Sequence, residues 1–260
     1  ARNLRHHARL LAAMCVGLAV FETLIVWVAG RIEAGSGLRG FLEQILPPGA
    51  RDVVLSQFGL ASFPGAVAFG FEHPVALVAA LAFVVVAASV PAAERESGFL
   101  DLVLARPVPR SRYLFATAGL VVVGALVLPF ALLAGAAVGL ALVTVEDRLP
   151  LSRYLPSVLG LSCLLLSVGG YALFFAAGAK RRGQVVGSVV GLTLALYIVE
   201  ALADLWDVLD RIRWISPFHY YKPIPSAVVP HTPWINPVVL LAAFVVVAAA
   251  AVVRFRRQDL

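Results

Sequence analysis

The chain has 260 residues, of which 61% are hydrophobic and 14% charged. A soluble domain carries about 45–50% apolar and about 25% charged residues, so this composition excludes a soluble enzyme, a secreted disulfide scaffold and a disordered tail. Lys and Arg outnumber Asp and Glu by 21 to 15, which gives a net charge of +6. In a membrane protein such an excess follows topology, so we expect no nucleic-acid partner.

Six apolar runs are long enough to span a bilayer, which takes roughly 20 residues. They are too long and too continuous for the strands of a membrane β-barrel. The sequence therefore predicts an all-α, polytopic membrane protein with a single transmembrane domain over residues 1–260 and spans at about 10–30, 74–93, 113–145, 154–179, 183–202 and 235–253. Pro129 predicts a kink in the third span.

The first span contains one acidic residue, Glu22, near its middle. A charged side chain in the bilayer core costs about 2.5–3.5 kcal/mol on insertion scales and usually faces a cavity or a partner. Two interpretations stay open. Glu22 lines a substrate route or a seam between two subunits, or it is protonated and hydrogen-bonded to a neighbouring helix.

Two amphipathic segments follow the first span, at 38–46 and at about 52–63, and the sequence Pro-Pro-Gly separates them. Apolar residues on one face of a short helix favour a position in the plane of the membrane interface. We therefore expect two amphipathic helices on the outer side.

The loop between the second and third spans, residues 93–112, contains a further amphipathic segment. Charged residues open it, apolar residues follow at helical spacing, and Pro107 and Pro109 end it. This pattern predicts a helix over about 94–105. Such a helix buries its apolar stripe against lipid headgroups or against a partner.

The same loop carries a recognisable motif. Its opening Glu94-Arg95-Glu96-Ser97-Gly98 and its later Arg106-Pro107-Val108-Pro109-Arg110 resemble the type-2 family of ATP-binding-cassette (ABC) exporter permeases, in which such segments sit between the second and third spans. Phe99 stands where the family commonly has Thr. The resemblance implies a coupling helix that docks into a groove on a separate cytoplasmic ATPase through Glu94, Arg95, Glu96, Gly98, Phe99, Leu100, Asp101 and Leu104.

The resemblance also implies partners. Two ATPase subunits would bind ATP and Mg, and a second permease copy would complete the pathway, because six spans make only half of one. We expect a homodimer. The two lysines, Lys180 and Lys222, do not fit the phosphate-binding pattern G-x-x-x-x-G-K-[ST]. We therefore expect no cofactor in this chain and ATP hydrolysis by a partner.

Glycines recur at intervals of four on two of the spans. Gly183, Gly187 and Gly191 lie on the fifth span, and Gly135 and Gly139 lie on the third. Small residues on one helical face permit close helix contact in a membrane. The contact is either a seam between two copies or packing within one subunit, and the pattern leaves both open.

The segment after the fifth span is rich in acidic and aromatic residues. Glu200, Asp204, Asp207 and Arg211 are spaced by 4, 3 and 4, which predicts one charged face of a continuing helix. The run Ser-Pro-Phe-His-Tyr-Tyr at 216–221 resembles the outer segment of the same family, and its aromatic residues suit a membrane interface.

Orientation follows from the basic residues. Placing both termini on one side gives that side 13 of the 21 Lys and Arg residues, including the group at 180–182. The positive-inside rule then assigns both termini to the cytoplasm of a prokaryotic inner or plasma membrane. The loop 179–184 is either a plain basic anchor or a second, smaller contact with the ATPase.

Enzymatic motifs are absent from the sequence. The five histidines lack ligand-like spacing with Cys, Asp or Glu, and neither G-x-S-x-G nor H-E-x-x-H occurs. We therefore expect a transport subunit without a metal site: an ABC exporter permease for substrate export or mechanical transmission. The alternative is an ion- or proton-coupled secondary transporter that uses Glu22 and Glu200, although the broken-helix pair typical of such carriers is missing.

Overall fold

A computed structural model of the chain describes residues 2–35, 47, 62–99, 110–145, 148–228 and 235–257. Within these residues the chain forms helices and turns and no strand. The α-helices, numbered in chain order, are α1 (Arg2–Gly35), α2 (Phe63–Glu72), α3 (Pro74–Ala88), α4 (Val90–Glu96), α5 (Arg110–Leu142), α6 (Leu155–Gly178), α7 (Arg182–Leu202), α8 (Asp207–Asp210), α9 (Pro223–Val228) and α10 (Ile235–Arg256). Short 3₁₀ turns occupy Leu151–Tyr154, Arg213–Ile215 and Pro217–Tyr220.

Six helical stretches in the described part of the chain are long and apolar enough to cross a membrane, which confirms the predicted all-α, six-span class. They are His7–Arg31, Phe63–Ala88, Arg112–Leu142, Leu151–Gly178, Arg182–Leu202 and Ile235–Arg256. Pro129 lies inside α5, and the helix continues on both sides of it.

The second span begins at Phe63, well before the predicted start at residue 74. It consists of α2 and α3, which meet at His73. Ser62 caps α2, because its hydroxyl accepts a hydrogen bond from the Gly65 N–H at 3.2 Å. The prediction missed α2 because two glycines and Glu72 interrupt its apolar pattern.

Two other predictions concern segments at the ends of spans. The amphipathic segment 38–46 lies outside the described residues, and of the segment 52–63 only the last two residues are described, where α2 begins. The prediction of one continuing helix from Glu200 to Arg211 is wrong, because α7 ends at Leu202 and an extended residue, Trp206, precedes α8.

Contacts divide the chain into two compact units. The first comprises residues 1–79, 127–161 and 222–233. In it α1 packs closely against the second half of α5: a Cβ at Gly135 would lie 2.2 Å from the Ala19 carbonyl oxygen, and one at Gly139 would lie 2.6 Å from Val26 Cβ. The Thr23 hydroxyl lies 3.0 Å from the Gly135 carbonyl oxygen, to which it donates across this contact.

The second unit comprises residues 80–126, 162–221 and 234–260. Small residues again set its helix contacts, since a Cβ at Gly124 would lie 2.3 Å from the Phe83 ring and one at Gly169 would lie 2.4 Å from Val121. This unit contains the predicted coupling segment from residue 94 and the acidic residues that follow α7.

Candidate functional site

The predicted coupling segment does not begin as a new helix. Glu94, Arg95 and Glu96, here called the ERE segment, form the last turn of α4, which starts at Val90. Gly98 then adopts a left-handed backbone with φ of 71°, and its N–H bonds to the Arg95 carbonyl oxygen at 3.1 Å. A glycine in this conformation is a common helix terminator, so the helix that contains Glu94 ends at Glu96, and the predicted helix over about 94–105 is interrupted at Gly98.

Glu94 contacts the start of α5. Its carboxylate accepts a hydrogen bond from the Tyr113 hydroxyl. The Tyr113 ring in turn stacks on Phe255 of α10, with 6.2 Å between ring centroids and 19° between planes.

The Arg95 side chain reaches the C-terminal end of α6. Its guanidinium donates to the carbonyl oxygen of Ala179, which immediately follows α6, and it lies 5.8 Å from the centre of the Phe255 ring. A cation is favourable there, because the unpaired carbonyls at a helix C-terminus carry partial negative charge.

The Glu96 side chain bonds to the beginning of α7. Its carboxylate oxygen accepts a hydrogen bond from the Arg182 N–H at 2.9 Å. The Gln184 side chain supplies a further cap, since its oxygen lies 3.1 Å from the Lys180 N–H. The turn between α6 and α7, residues 179–181, is therefore held from both helix ends.

The described part of this segment ends at Phe99, which is 48% exposed. Leu100, Asp101 and Leu104 of the predicted contact set lie outside the described residues.

Glu22 is completely buried in the first unit, and neither carboxyl oxygen has a hydrogen-bond partner among the described residues. Its carboxyl packs against α2 at Gly70, where a Cβ would lie 1.9 Å from Oε2. The structure therefore gives Glu22 no hydrogen bond to a neighbouring helix within the described chain.

The two glycine repeats differ in their surroundings. Gly135 and Gly139 pack against α1, whereas a Cβ added at Gly183, Gly187 or Gly191 meets no described atom within 4 Å. Neighbouring apolar side chains of α7 are also open, with Val190 and Leu194 53% and 55% exposed.

A group of charged residues gathers around Arg213 after α7; the Arg213 cluster comprises Glu200, Asp204, Asp210, Arg213 and His219. The guanidinium bonds to Glu200 at 3.0 Å, to Asp204 at 3.0 Å and to Asp210 at 3.1 Å. His219 Nδ1 lies 3.3 Å from the other Glu200 carboxylate oxygen. The hydrogen bond that Arg213 donates to the Glu200 carboxylate is the main reason why the pKa of Arg213 is raised above its ordinary value.

The aromatic run after the Arg213 cluster is partly buried. Phe218 meets Tyr197 of α7 edge-on at 5.3 Å, and the buried Ser216 hydroxyl donates to the Leu196 carbonyl oxygen at 2.8 Å. These contacts fasten the segment 216–221 to α7. Among the residues that the structure describes, no group of three His, Cys, Asp or Glu side chains could hold a metal ion.

The sequence pattern missed Tyr113, Phe255 and Arg213. Tyr113 adjoins the quoted motif and is the one that the sequence could have suggested. Phe255 offered no local signal, because Tyr113 and Arg95 are distant along the chain. The carboxylates that bond to Arg213 are close in sequence, but the predicted helical face paired them with Arg211 instead.

The comparison with known families agrees with this architecture. A family described as "Multidrug efflux system permease Rv1217c, C-terminal domain" matches residues 3–256. No curated protein matches the chain. The match covers nearly the whole sequence, and together with the six apolar helices it shows that the chain belongs to this family of efflux-system permeases and is a multi-pass membrane transport protein.

Proposed function

We propose that this permease is the membrane subunit of an ABC exporter, in which ATP hydrolysis on a separate ATPase subunit drives export across the cell membrane. The observation that carries the proposal is the segment 94–99, in which a motif resembling that of type-2 permeases leads into an exposed apolar side chain, Phe99. No phosphate-binding loop occurs in these 260 residues, so the ATP and Mg sites would belong to the partner.

Transport measurements test the energy source. In inside-out vesicles containing the permease and its ATPase, uptake of a fluorescent amphipathic cation should require hydrolysable ATP. It should persist when an ionophore collapses the proton gradient. Uptake that follows the gradient and ignores ATP would overturn the proposal.

Co-purification tests the contact with the ATPase. The proposed docking surface includes Gly98 and Phe99 and lies on the cytoplasmic side with both termini. Phe99→Asp should abolish recovery of the ATPase with a tagged permease, because a charge replaces an apolar contact. Phe115 lies within a span, where an introduced Asp would itself be destabilising. The matched comparison is therefore Phe99→Ala against Phe115→Ala. Phe115 is 61% exposed on α5, and its truncation should leave recovery unchanged.

Pairing of two six-span units completes the proposal. The face of α7 that carries Gly183, Gly187 and Gly191 is open in the described chain and permits close approach of a second helix. We place a second copy of the permease there, as a homodimer with two ATPase subunits below.

A second candidate, a proton-coupled carrier, is favoured by one observation: Glu22 is buried without a hydrogen-bond partner in the described chain. Membrane-embedded carboxyl groups of this kind serve as proton relays. Glu22→Gln keeps the shape and removes the titratable proton. Loss of gradient-driven uptake in this variant, with ATP absent throughout, would favour the carrier.

A further inference from the structure

We infer that the ERE segment is a clamp on the α6–α7 turn, and that Glu94, Arg95 and Glu96 are positioning residues whose side chains act within the permease itself. Each of the three bonds to a different helix terminus or helix start in the second unit. The inference that this clamp passes motion from the docked segment to the spans rests on the proposed function.

The arrangement of charges supports the clamp. Arg95 donates to the Ala179 carbonyl oxygen at the C-terminal, negative end of α6, and Glu96 accepts from the first N–H of α7, at the positive end of that helix. Two adjacent side chains of opposite charge thus contact the two ends of one tight turn, and each meets the helix end whose partial charge it complements. A segment that served only as a charged docking surface would not need this match of sign and position.

The remaining contacts extend the clamp to two more spans. Glu94 bonds to Tyr113 at the beginning of α5, and Phe255 of α10 lies against both Tyr113 and Arg95. The last turn of α4 therefore touches α5, α7, α10 and the end of α6. A displacement of the chain at Gly98 is transmitted to all four at once.

Limited proteolysis tests the clamp without any ATPase. The α6–α7 turn carries three consecutive trypsin sites, Lys180, Arg181 and Arg182. In the detergent-solubilised permease, the exchange Arg95→Glu with Glu96→Arg keeps the composition and net charge of the segment but sets each charge against its helix end. We expect cleavage at 180–182 to accelerate roughly tenfold, as the loss of charge-assisted hydrogen bonds implies. Cleavage after Arg257 serves as the internal reference.

Conservative variants separate hydrogen bonding from charge. Glu96→Gln keeps an acceptor for the Arg182 N–H and should cleave close to the wild-type rate, whereas Glu96→Ala should cleave faster. Tyr113 lies outside the docking segment, and Tyr113→Phe removes only the hydroxyl that donates a hydrogen bond to Glu94. This variant should therefore also accelerate cleavage at 180–182. If the exchanged variant and Glu96→Ala both cleave at the wild-type rate, the clamp does not exist.

The complete transporter tests the role of the clamp. In complexes with the ATPase, Tyr113→Phe, which lies outside the predicted docking set, should retain assembly and ATP hydrolysis but transport roughly tenfold less cargo per ATP. A merely structural defect would lower assembly, hydrolysis and transport together. Loss of ATPase recovery with unchanged cleavage at 180–182 would assign the segment to docking and overturn the clamp. Failure of the ABC proposal would leave the proteolysis result intact.

Discussion

Gly98 shows how one backbone conformation sets the boundary of a functional segment. Its φ of 71° lies in the left-handed region, and a Cβ there would meet no described atom within 4 Å. The cost of a side chain at this position is therefore conformational and not steric, about 1–2 kcal/mol for a residue with a Cβ. We expect Gly98→Ala to lower the thermal stability of the detergent-solubilised protein and to weaken ATPase recovery.

Two variants control this prediction. Asn tolerates the left-handed region, so Gly98→Asn should retain more stability than Gly98→Ala. Gly17 lies within α1 and is also open, so Gly17→Ala should leave stability unchanged or raised. Equal melting temperatures for the Gly98 variants and wild type would contradict the argument.

Arg213 is the second residue whose side chain organises its surroundings. Its strongest partner is Glu200, whose side chain is 12% exposed, whereas Asp204 is 80% exposed. Removing the guanidinium takes the arginine partner away from a partly desolvated carboxylate, so Arg213→Met should destabilise the fold by about 1.5–3 kcal/mol. Asp204→Asn should change stability by less than about 0.5 kcal/mol, since exposed pairs contribute little.

Unfolding monitored by tryptophan fluorescence can measure both variants, because Trp206 and Trp214 lie between members of the Arg213 cluster in the sequence. If Asp204→Asn lowers the stability more than Arg213→Met does, the exposed ion pair is the stronger one, and the argument from the burial of Glu200 is wrong.

At the scale of elements, close approach of α1 and α5 depends on a glycine. A Cβ at Gly135 would lie 2.2 Å from the Ala19 carbonyl oxygen, and backbone cannot yield as a flexible side chain can. Gly135→Ala should therefore separate the helices and cost about 1–3 kcal/mol. Gly119 lies on the same helix and faces open space, so Gly119→Ala is the matched control. Similar melting temperatures for the two variants would refute the packing argument.

The sequence predicts elements best where lipid imposes the constraint. The first span and spans three to six agree with the structure to within a few residues, because a bilayer demands a continuous apolar run whatever its neighbours are. The start of the second span at Phe63 was missed, since glycines and Glu72 weaken the pattern there although they suit helix packing. The helix boundary at Gly98 depends on a left-handed turn that helical periodicity alone does not signal.

The side-chain contacts could not be predicted from the sequence, for a different reason. Arg95 and Ala179 are 84 positions apart, and Glu96 and Arg182 are 86 apart, so no local spacing relates them. Arg213 likewise gathers carboxylates from α7, the following turn and α8, and the spacing of the acids alone suggested a single helix. The motif drew attention to the segment 94–99, but the fold decides which of its side chains are already bonded within the chain.

At the scale of the whole molecule, the open face of α7 is the feature that bears on assembly. We expect Gly191→Trp to block pairing of two permeases while leaving each copy folded, because the site is open within the chain and a bulky side chain prevents close approach from outside. The measurement is cross-linking through Gly187→Cys in the full-length protein, with Cys15 and Cys163 replaced by Ser. A cross-linked dimer that disappears with Gly191→Trp added supports the homodimer. If Gly187→Cys yields no dimer while transport continues, lipid or another six-span unit covers this face, and the homodimer is wrong.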